Sequence, residues 1–351
     1  MQQPDIHFSV HGTVGLVELD RPKALNAISY DMAVAISTQM QAWSHDDSIT
    51  HVVIAGSTPR AFCAGGDVRD LYKYIQRGDY DRTRVYFRAE YNADFDVYSC
   101  SKPVISLADG IVMGGGAGLM QCSRYRVASE KTRFAMPESA IGLFPDAGAS
   151  IFLGRIPHPF AMFIGLTGQI IGASDLMLLG MADAVVPSAH MAALRRALLD
   201  CTTDGIESVI EAHQIDPGQA PMQANRTVID HIFSGDDLPA MRDRAGDLAR
   251  LKGDSFAAKI HDALATRCPM TMHVFARLME MDTQIPDMKT ALALDYRLAI
   301  RMSERPDFSD GVRAVLVDKS NDASWSPARL EDVTPAMVDA VFDHAGLPAL
   351  R

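Results

Sequence analysis

Met113-Gly114-Gly115-Gly116-Ala117-Gly118 and Met136-Pro137-Glu138-Ser139-Ala140-Ile141-Gly142-Leu143-Phe144-Pro145-Asp146 decide the reading of this chain. The first is a run of nearly bare backbone leading into a helix start. The second places two carboxylates, Glu138 and Asp146, eight residues apart on a turn-rich segment. Bare amides can hold a developing oxyanion, and positioned carboxylates can move a proton or attack a carbonyl. Together they point to acyl chemistry on a carbonyl compound.

Outward from these segments, short apolar strands alternate with helical patterns. Residues 7 to 19 read as a hairpin around Gly12 and Gly15. Ile28, Met32, Ile36, Met40 and Trp43 share one helical face. Val52–Gly56, Pro103–Leu107, Tyr125–Ala128 and Ala184–Val186 are short buried strands. Helical patterns cover Asp67–Gln76, Asp79–Val97, Gly115–Gln121 and Ala149–Leu166. This alternation predicts an α/β fold with a largely parallel sheet. From about residue 191 the patterns are almost wholly helical and punctuated by Pro217, Pro221, Pro239, Pro269 and Pro286. No Gly/Ser-rich or charged linker separates the parts. Residues 1–190 therefore read as a core, and 191–351 as a mainly helical region packed on it.

Phe62-Cys63-Ala64-Gly65-Gly66-Asp67 lies between a strand and a helix. Asp67 suits an N-cap, and the small residues would let a ligand reach backbone amides at the helix start. An ordinary tight turn explains the same residues. The run at 114–118 is no dinucleotide fingerprint, because Leu119 stands where the last glycine belongs, and no GK[ST] follows it. Its two readings are a backbone donor at a helix start and close helix-to-strand packing. Glu138 could equally favour a helix start, and Asp146 could cap the following helix. A GxSxG elbow is also missing, since Gly253-Asp254-Ser255-Phe256-Ala257 lacks the second glycine.

In this order, Phe62–Asp67, Met113–Gly116 and Pro137-Glu138 with Gly142–Asp146 resemble the crotonase (enoyl-CoA hydratase/isomerase) superfamily. Asp20-Arg21-Pro22-Lys23-Ala24-Leu25-Asn26-Ala27 matches its N-terminal loop. Asp307 to Lys319, with Trp325 and Pro327, extends the resemblance to the C-terminus. Within the superfamily the chain is most similar to the 3-hydroxyisobutyryl-CoA hydrolase family. The resemblance implies a crotonase-like spiral of ββα turns with a helical C-terminal region. It implies a thioester oxygen held by the amides of Gly66 and Gly115, with Glu138 and Asp146 catalytic. Glu90, Lys23, Ala24, Leu25, Ala64 and Asp67 would line the substrate, Lys23 being either a phosphate-binding cation or a solvated surface lysine. Hydratases of the superfamily carry a first glutamate two residues after the triple glycine, where this chain has Gly118. That weakens the hydratase reading, and the resemblance implies an acyl-CoA thioester hydrolase acting on a short branched 3-hydroxyacyl group, as in valine breakdown. An enoyl-CoA isomerase or hydratase is the alternative, and a non-catalytic acyl-CoA-binding protein a more remote one. No separate cofactor is implied, since coenzyme A belongs to the substrate. Homo-oligomers, commonly trimers or hexamers, are a further implication.

Composition narrows the partners. The 351 residues carry a formal net charge of -11, against the basic footprint that nucleic acid requires. The five cysteines form no CxxC pair and suit reduced thiols in the cytoplasm. The eleven histidines form no HExxH or HxH cluster, so no metal is expected. The opening Met1-Gln2-Gln3-Pro4-Asp5 lacks the basic and apolar regions of a signal peptide, and no apolar run reaches membrane-spanning length.

Overall fold

The computed structural model describes residues 5–281 and 285–350. The first four residues, read above as carrying no leader, lie outside the described residues. The chain folds into two compact units that interleave along the sequence. Of the described residues, one unit comprises 5–67, 89–135 and 170–221; the other comprises 68–88, 136–169, 222–281 and 285–350. Character changes near 190, whereas packing recruits segments from both sides of that point.

The first unit holds two sheets. β1 (Ile6–His11), β2 (Val14–Leu19), β3 (His51–Gly56), β5 (Val104–Ala108), β7 (Tyr125–Ala128) and β9 (Ala184–Val185) form one, in that order. β1 and β2 are the expected antiparallel hairpin, and every other pairing is parallel. β4 (Ala61–Cys63), β6 (Ile111–Met113) and β8 (Arg133–Ala135) form a second, parallel sheet. Each pair β3–β4, β5–β6 and β7–β8 thus gives one strand to each sheet, which is the ββα spiral. The second strands are three residues long and carry no readable period, so the sequence pattern shows mainly the first of each pair.

The helices, in chain order, begin with α1 (Tyr30–Ser44), α2 (Val68–Gln76), α3 (Tyr80–Tyr98) and α4 (Gly115–Gln121). Next come α5 (Ala149–Phe152), α6 (His158–Thr167), α7 (Ala173–Leu178), α8 (Met191–Asp200) and α9 (Ile206–Glu211). α10 (Pro221–Ala224), α11 (Arg226–Ile232), α12 (Leu238–Lys252) and α13 (Ser255–Thr266) follow. α14 (Pro269–Glu280), α15 (Met288–Ser303), α16 (Pro306–Val312) and α17 (Pro335–Phe342) complete them. Two expectations change. The single helix read over 149–166 is two, α5 and α6, because Pro157 cannot continue an interior ladder and instead precedes α6 as its cap. Ile28 lies before α1, bridging to Gly66, rather than on its face. Met32, Ile36, Met40 and Trp43 do form the buried stripe of α1, entered through the Ser29 cap on the Met32 amide.

In the second unit the segment bearing Glu138 and Asp146 is clamped against α16 at two glycines. A Cβ at Gly142 would lie 2.5 Å from the Asp307 carbonyl group. One at Gly311 would lie 2.5 Å from the Ile141 carbonyl carbon. Backbone cannot yield as a flexible side chain can, so Gly311→Ala is expected to destabilise the fold by about 1–3 kcal/mol, read as a lower denaturation midpoint. An unchanged midpoint would mean the segment moves aside.

Candidate active site

The parallel bridge between Ile28 and Gly66 fixes one amide. Ile28 N donates to Gly65 O at 2.8 Å, and Asp67 N donates to Ile28 O at 2.9 Å. These bonds bracket Gly66 on one side, so its own N–H points to the other. Gly65, at φ 100°, supplies the turn before it. The second amide belongs to Gly115, first residue of α4. Gly114, at φ 52° and ψ −127°, caps that helix while its N–H reaches Ala135 O at 3.2 Å. A first-turn N–H has no intrahelical acceptor. Neither the Gly66 nor the Gly115 N–H donates to a turn or loop backbone acceptor among the described residues.

The two positions adjoin. A Cβ on Gly115 would sit 3.4 Å from Gly66 N and would collide with Glu90 Oε1. Glycine at 115 therefore leaves room beside both amides, and Glu90, on α3 and 6% exposed, packs there. A Cβ at Gly116 would instead strike the Cys63 carbonyl oxygen of β4. Gly116 is thus a close packing contact with β4, whereas the missing side chain at Gly115 admits Glu90 beside the Gly66 amide. Asp94, one turn beyond Glu90, is 2% exposed.

Burial, with smaller contributions from Glu90 and Asp94, pushes the Cys63 thiol up to about 12. Burial likewise raises Cys122 well above the ordinary range and Cys268 to about 11. At pH 8 a thiol with a pKa of about 12 is ionised in roughly one molecule in 10⁴. Iodoacetamide is therefore expected to spare Cys63, Cys122 and Cys268 in the native protein and label them after unfolding. Native labelling of Cys63, read by mass spectrometry, would contradict its burial.

The N-terminal loop belongs to the same unit. Leu25 and Asn26 take left-handed conformations, φ 54° and 58°. Buried Asn26 donates to Ala61 O at 2.9 Å and Phe62 O at 3.2 Å and accepts from Arg21 N at 2.9 Å. Ala64 N donates to Leu25 O at 3.0 Å, and Arg21 pairs with Asp67 at 2.6 Å. The structure thus brings Leu25, Ala64, Gly66, Asp67, Glu90 and Gly115 into one unit, with Ala24 half-buried and Lys23 exposed. Asn26 organises this loop and was not singled out from sequence. Its signal is an asparagine at a left-handed position, a conformation asparagine tolerates.

Glu138 and Asp146 belong to the second unit, each 5% exposed. Glu138 begins the 3₁₀ turn Glu138–Ala140, and its carbonyl accepts from Ile141 N and Leu143 N at 2.9 and 3.1 Å. Ser139 O accepts from Cys268 N at 2.9 Å, tying the turn to the start of α14. Asp146 precedes Ala147, at φ 52°, and Gly148, at φ 82°. Asp146 does not cap α5; Gly148 holds that position without a side-chain bond. Ser255 of the rejected elbow lies at the start of α13, capped by Asp254.

Among the described residues no group of three or more His, Cys, Asp or Glu could hold a metal ion. None of their helices is long and apolar enough to cross a membrane.

Residues 14–342 match the family profile described as Enoyl-CoA hydratase/isomerase. The chain is 35% identical over 348 residues to the mitochondrial 3-hydroxyisobutyryl-CoA hydrolase of Xenopus laevis, covering 97% of this chain and 89% of that protein. It is 34% identical over 350 residues to 3-hydroxyisobutyryl-CoA hydrolase 1 of Arabidopsis thaliana, covering 97% and 92%. Among solved structures it resembles a carnitinyl-CoA dehydratase from Mycobacterium thermoresistibile, with TM-score 0.91, 32% identity and 99% of each chain covered. An enoyl-CoA hydratase from Rhodobacter sphaeroides 2.4.1 matches with TM-score 0.90 and 30% identity, covering 99% and 100%.

Proposed function

The chain belongs to the enoyl-CoA hydratase/isomerase family, and from that membership we propose that it is an acyl-CoA thioester hydrolase converting 3-hydroxyisobutyryl-CoA and water to 3-hydroxyisobutyrate and CoA. The observation that carries the choice of reaction is the placement of its acids. Glu138 and Asp146 lie on one clamped segment, while position 118, inside α4, is glycine. Adding water across a double bond calls for an acid and a base; cleaving a thioester calls for a polarised carbonyl and one nucleophile or base.

In this reading the Gly66 and Gly115 amides take the negative charge that develops on the thioester oxygen. Glu138 attacks the carbonyl carbon, the C–S bond breaks, CoA leaves as thiolate and takes up a proton, and water then opens the mixed anhydride. The alternative route has Glu138 removing a proton from the attacking water. Asp146 holds the 3-hydroxyl group or the water, and Glu90 supports the polar side of the acyl pocket. Lys23, Ala24, Leu25, Ala64 and Asp67 border the pantetheine and nucleotide portion. Support for that border is the bonding of Leu25 to Ala64 and of Asp67 to Arg21.

Five free cysteines, three of them buried, suit a reducing compartment, and we assign the cytoplasm; the vertebrate relatives are named mitochondrial. Self-association of copies follows the superfamily habit, and analytical ultracentrifugation would read its stoichiometry.

The test is chromatographic detection of free CoA after mixing the protein with 3-hydroxyisobutyryl-CoA, with crotonyl-CoA and a 3-enoyl-CoA in parallel. CoA release from the hydroxyacyl ester alone is the expected result. A hydrated or shifted double bond without CoA release would place the chain on the hydratase or isomerase branch. Binding without any turnover would leave only an acyl-CoA-binding protein.

A further inference from the structure

α15 carries a carboxyl group that no motif singles out. Asp295 is wholly buried, and its Oδ2 accepts the Gly148 N–H at 2.8 Å, across 147 residues of sequence. Gly148 lies two residues after Asp146. It is the second of two successive left-handed residues, and the first, Ala147, pays a steric cost there that glycine would not. Alanine stays in that region only where surrounding structure over-determines it. The surroundings here are two residues of α15: Asp295, through its bond, and Met288, whose Sδ a Cβ at Gly148 would strike. Ala149 N closes the turn onto Asp146 O at 2.9 Å.

Asp295 Oδ1 is buried and has no hydrogen-bond partner among the described residues. An unsatisfied buried carboxyl oxygen is costly, and stability alone would favour an apolar side chain at this place. A polar group kept there despite that penalty calls for another role. Burial first, and next the nearby charge of Asp146, raise the Asp295 carboxyl well above the usual carboxylate range, the Gly148 N–H offsetting this in part. Its ionisation is thereby suppressed, and the second carboxyl can be packed near Asp146 without two charges meeting.

We propose that Asp295 is a positioning residue for Asp146: through the Gly148 amide it fixes the left-handed Ala147–Gly148 turn and so sets the direction of the Asp146 side chain. The inference rests on the reading of Asp146 as a group that touches the substrate. It concerns a residue outside the set drawn from sequence and requires from it an acceptor, not a charge.

Three variants and one exchange measurement test this. Asp295→Asn keeps an oxygen acceptor for Gly148 and is expected to retain kcat for CoA release within ~3-fold, the size of effect left when a neutral acceptor is conserved. Asp295→Ala removes the acceptor and is expected to lower kcat by ~10- to 100-fold with KM nearly unchanged, because small misplacement of a positioned group costs that much. In the Asp146→Asn background, Asp295→Ala is expected to add less than ~2-fold, since residues acting through one another are not additive. Exchange of the Gly148 amide, read on the same proteins by hydrogen exchange, is expected to be slow in wild type and Asp295→Asn and fast in Asp295→Ala, whether or not substrate turns over. Full additivity, Asp295→Asn as impaired as Asp295→Ala, or fast Gly148 exchange in the wild type would each overturn the proposal. If Asp146→Asn itself turns over like wild type, the reading of Asp146 fails with it; if Asp146→Asn is impaired and Asp295→Ala is not, only the positioning role falls.

Discussion

Replacing Glu138 by glutamine is expected to abolish most CoA release, lowering kcat by ~10³-fold or more while the melting temperature stays near that of the wild type. A nucleophile cannot be replaced by an amide at all, and a lost general base typically costs ~10²- to 10⁴-fold. Glutamine is isosteric with glutamate, and the turn around residue 138 is held by backbone bonds from Ile141, Leu143 and Cys268 that the substitution leaves in place. The effect therefore separates chemistry from folding. A variant retaining about a tenth of wild-type turnover would remove Glu138 from the centre of the reaction. Single-turnover hydrolysis in heavy-oxygen water then distinguishes the routes. Label recovered in the Glu138 carboxylate requires an anhydride opened at the glutamyl carbonyl, and label found only in the free acid places the attack of water at the acyl carbon.

Gly115→Ala is the second large effect, expected to reduce kcat/KM by ~10²- to 10³-fold: alanine keeps the backbone N–H, but its methyl group occupies the space beside the two amides, at a cost comparable to that of losing an oxyanion donor. The added methyl group would displace Glu90 Oε1 and fill the space 3.4 Å from the Gly66 amide. Its neighbour supplies the contrast. Gly116→Ala meets the backbone carbonyl of Cys63, so its primary loss should be stability, by about 1–3 kcal/mol as in other overpacked sites. Rate lost at 115 and stability lost at 116 would place the donor at the first and the packing contact at the second. Equal losses of stability at both would reduce the glycine run to a packing device. Thermal melting beside steady-state kinetics on the two variants decides this.

Much of the architecture was legible because it is local. The hairpin at β1–β2, the stripe on α1, the apolar runs of β3, β5 and β7 and the bounds of α4 follow from patterns a few residues wide. The two glycine segments were legible for the same reason: a run of residues without side chains shows in the letters. Less legible were β4 and β6, too short to carry a period and made strands by their pairing in the second sheet. The break between α5 and α6 was signalled by Pro157, and the apolar pattern running through it masked the signal.

The sequence by itself therefore determined the class of fold, the order of its motifs, the two glycine segments and the presence of Glu138 and Asp146. Each depends on residue type and short spacing. Tertiary structure alone decided how those groups are held: Gly142 and Gly311 each laid against the backbone of the facing segment, Asn26 reaching Ala61 and Phe62, and Asp295 gripping the Gly148 amide. These are contacts between segments far apart in the chain. No local preference encodes them, because the hydrogen-bond acceptor or the missing Cβ has meaning only once the partner segment has arrived.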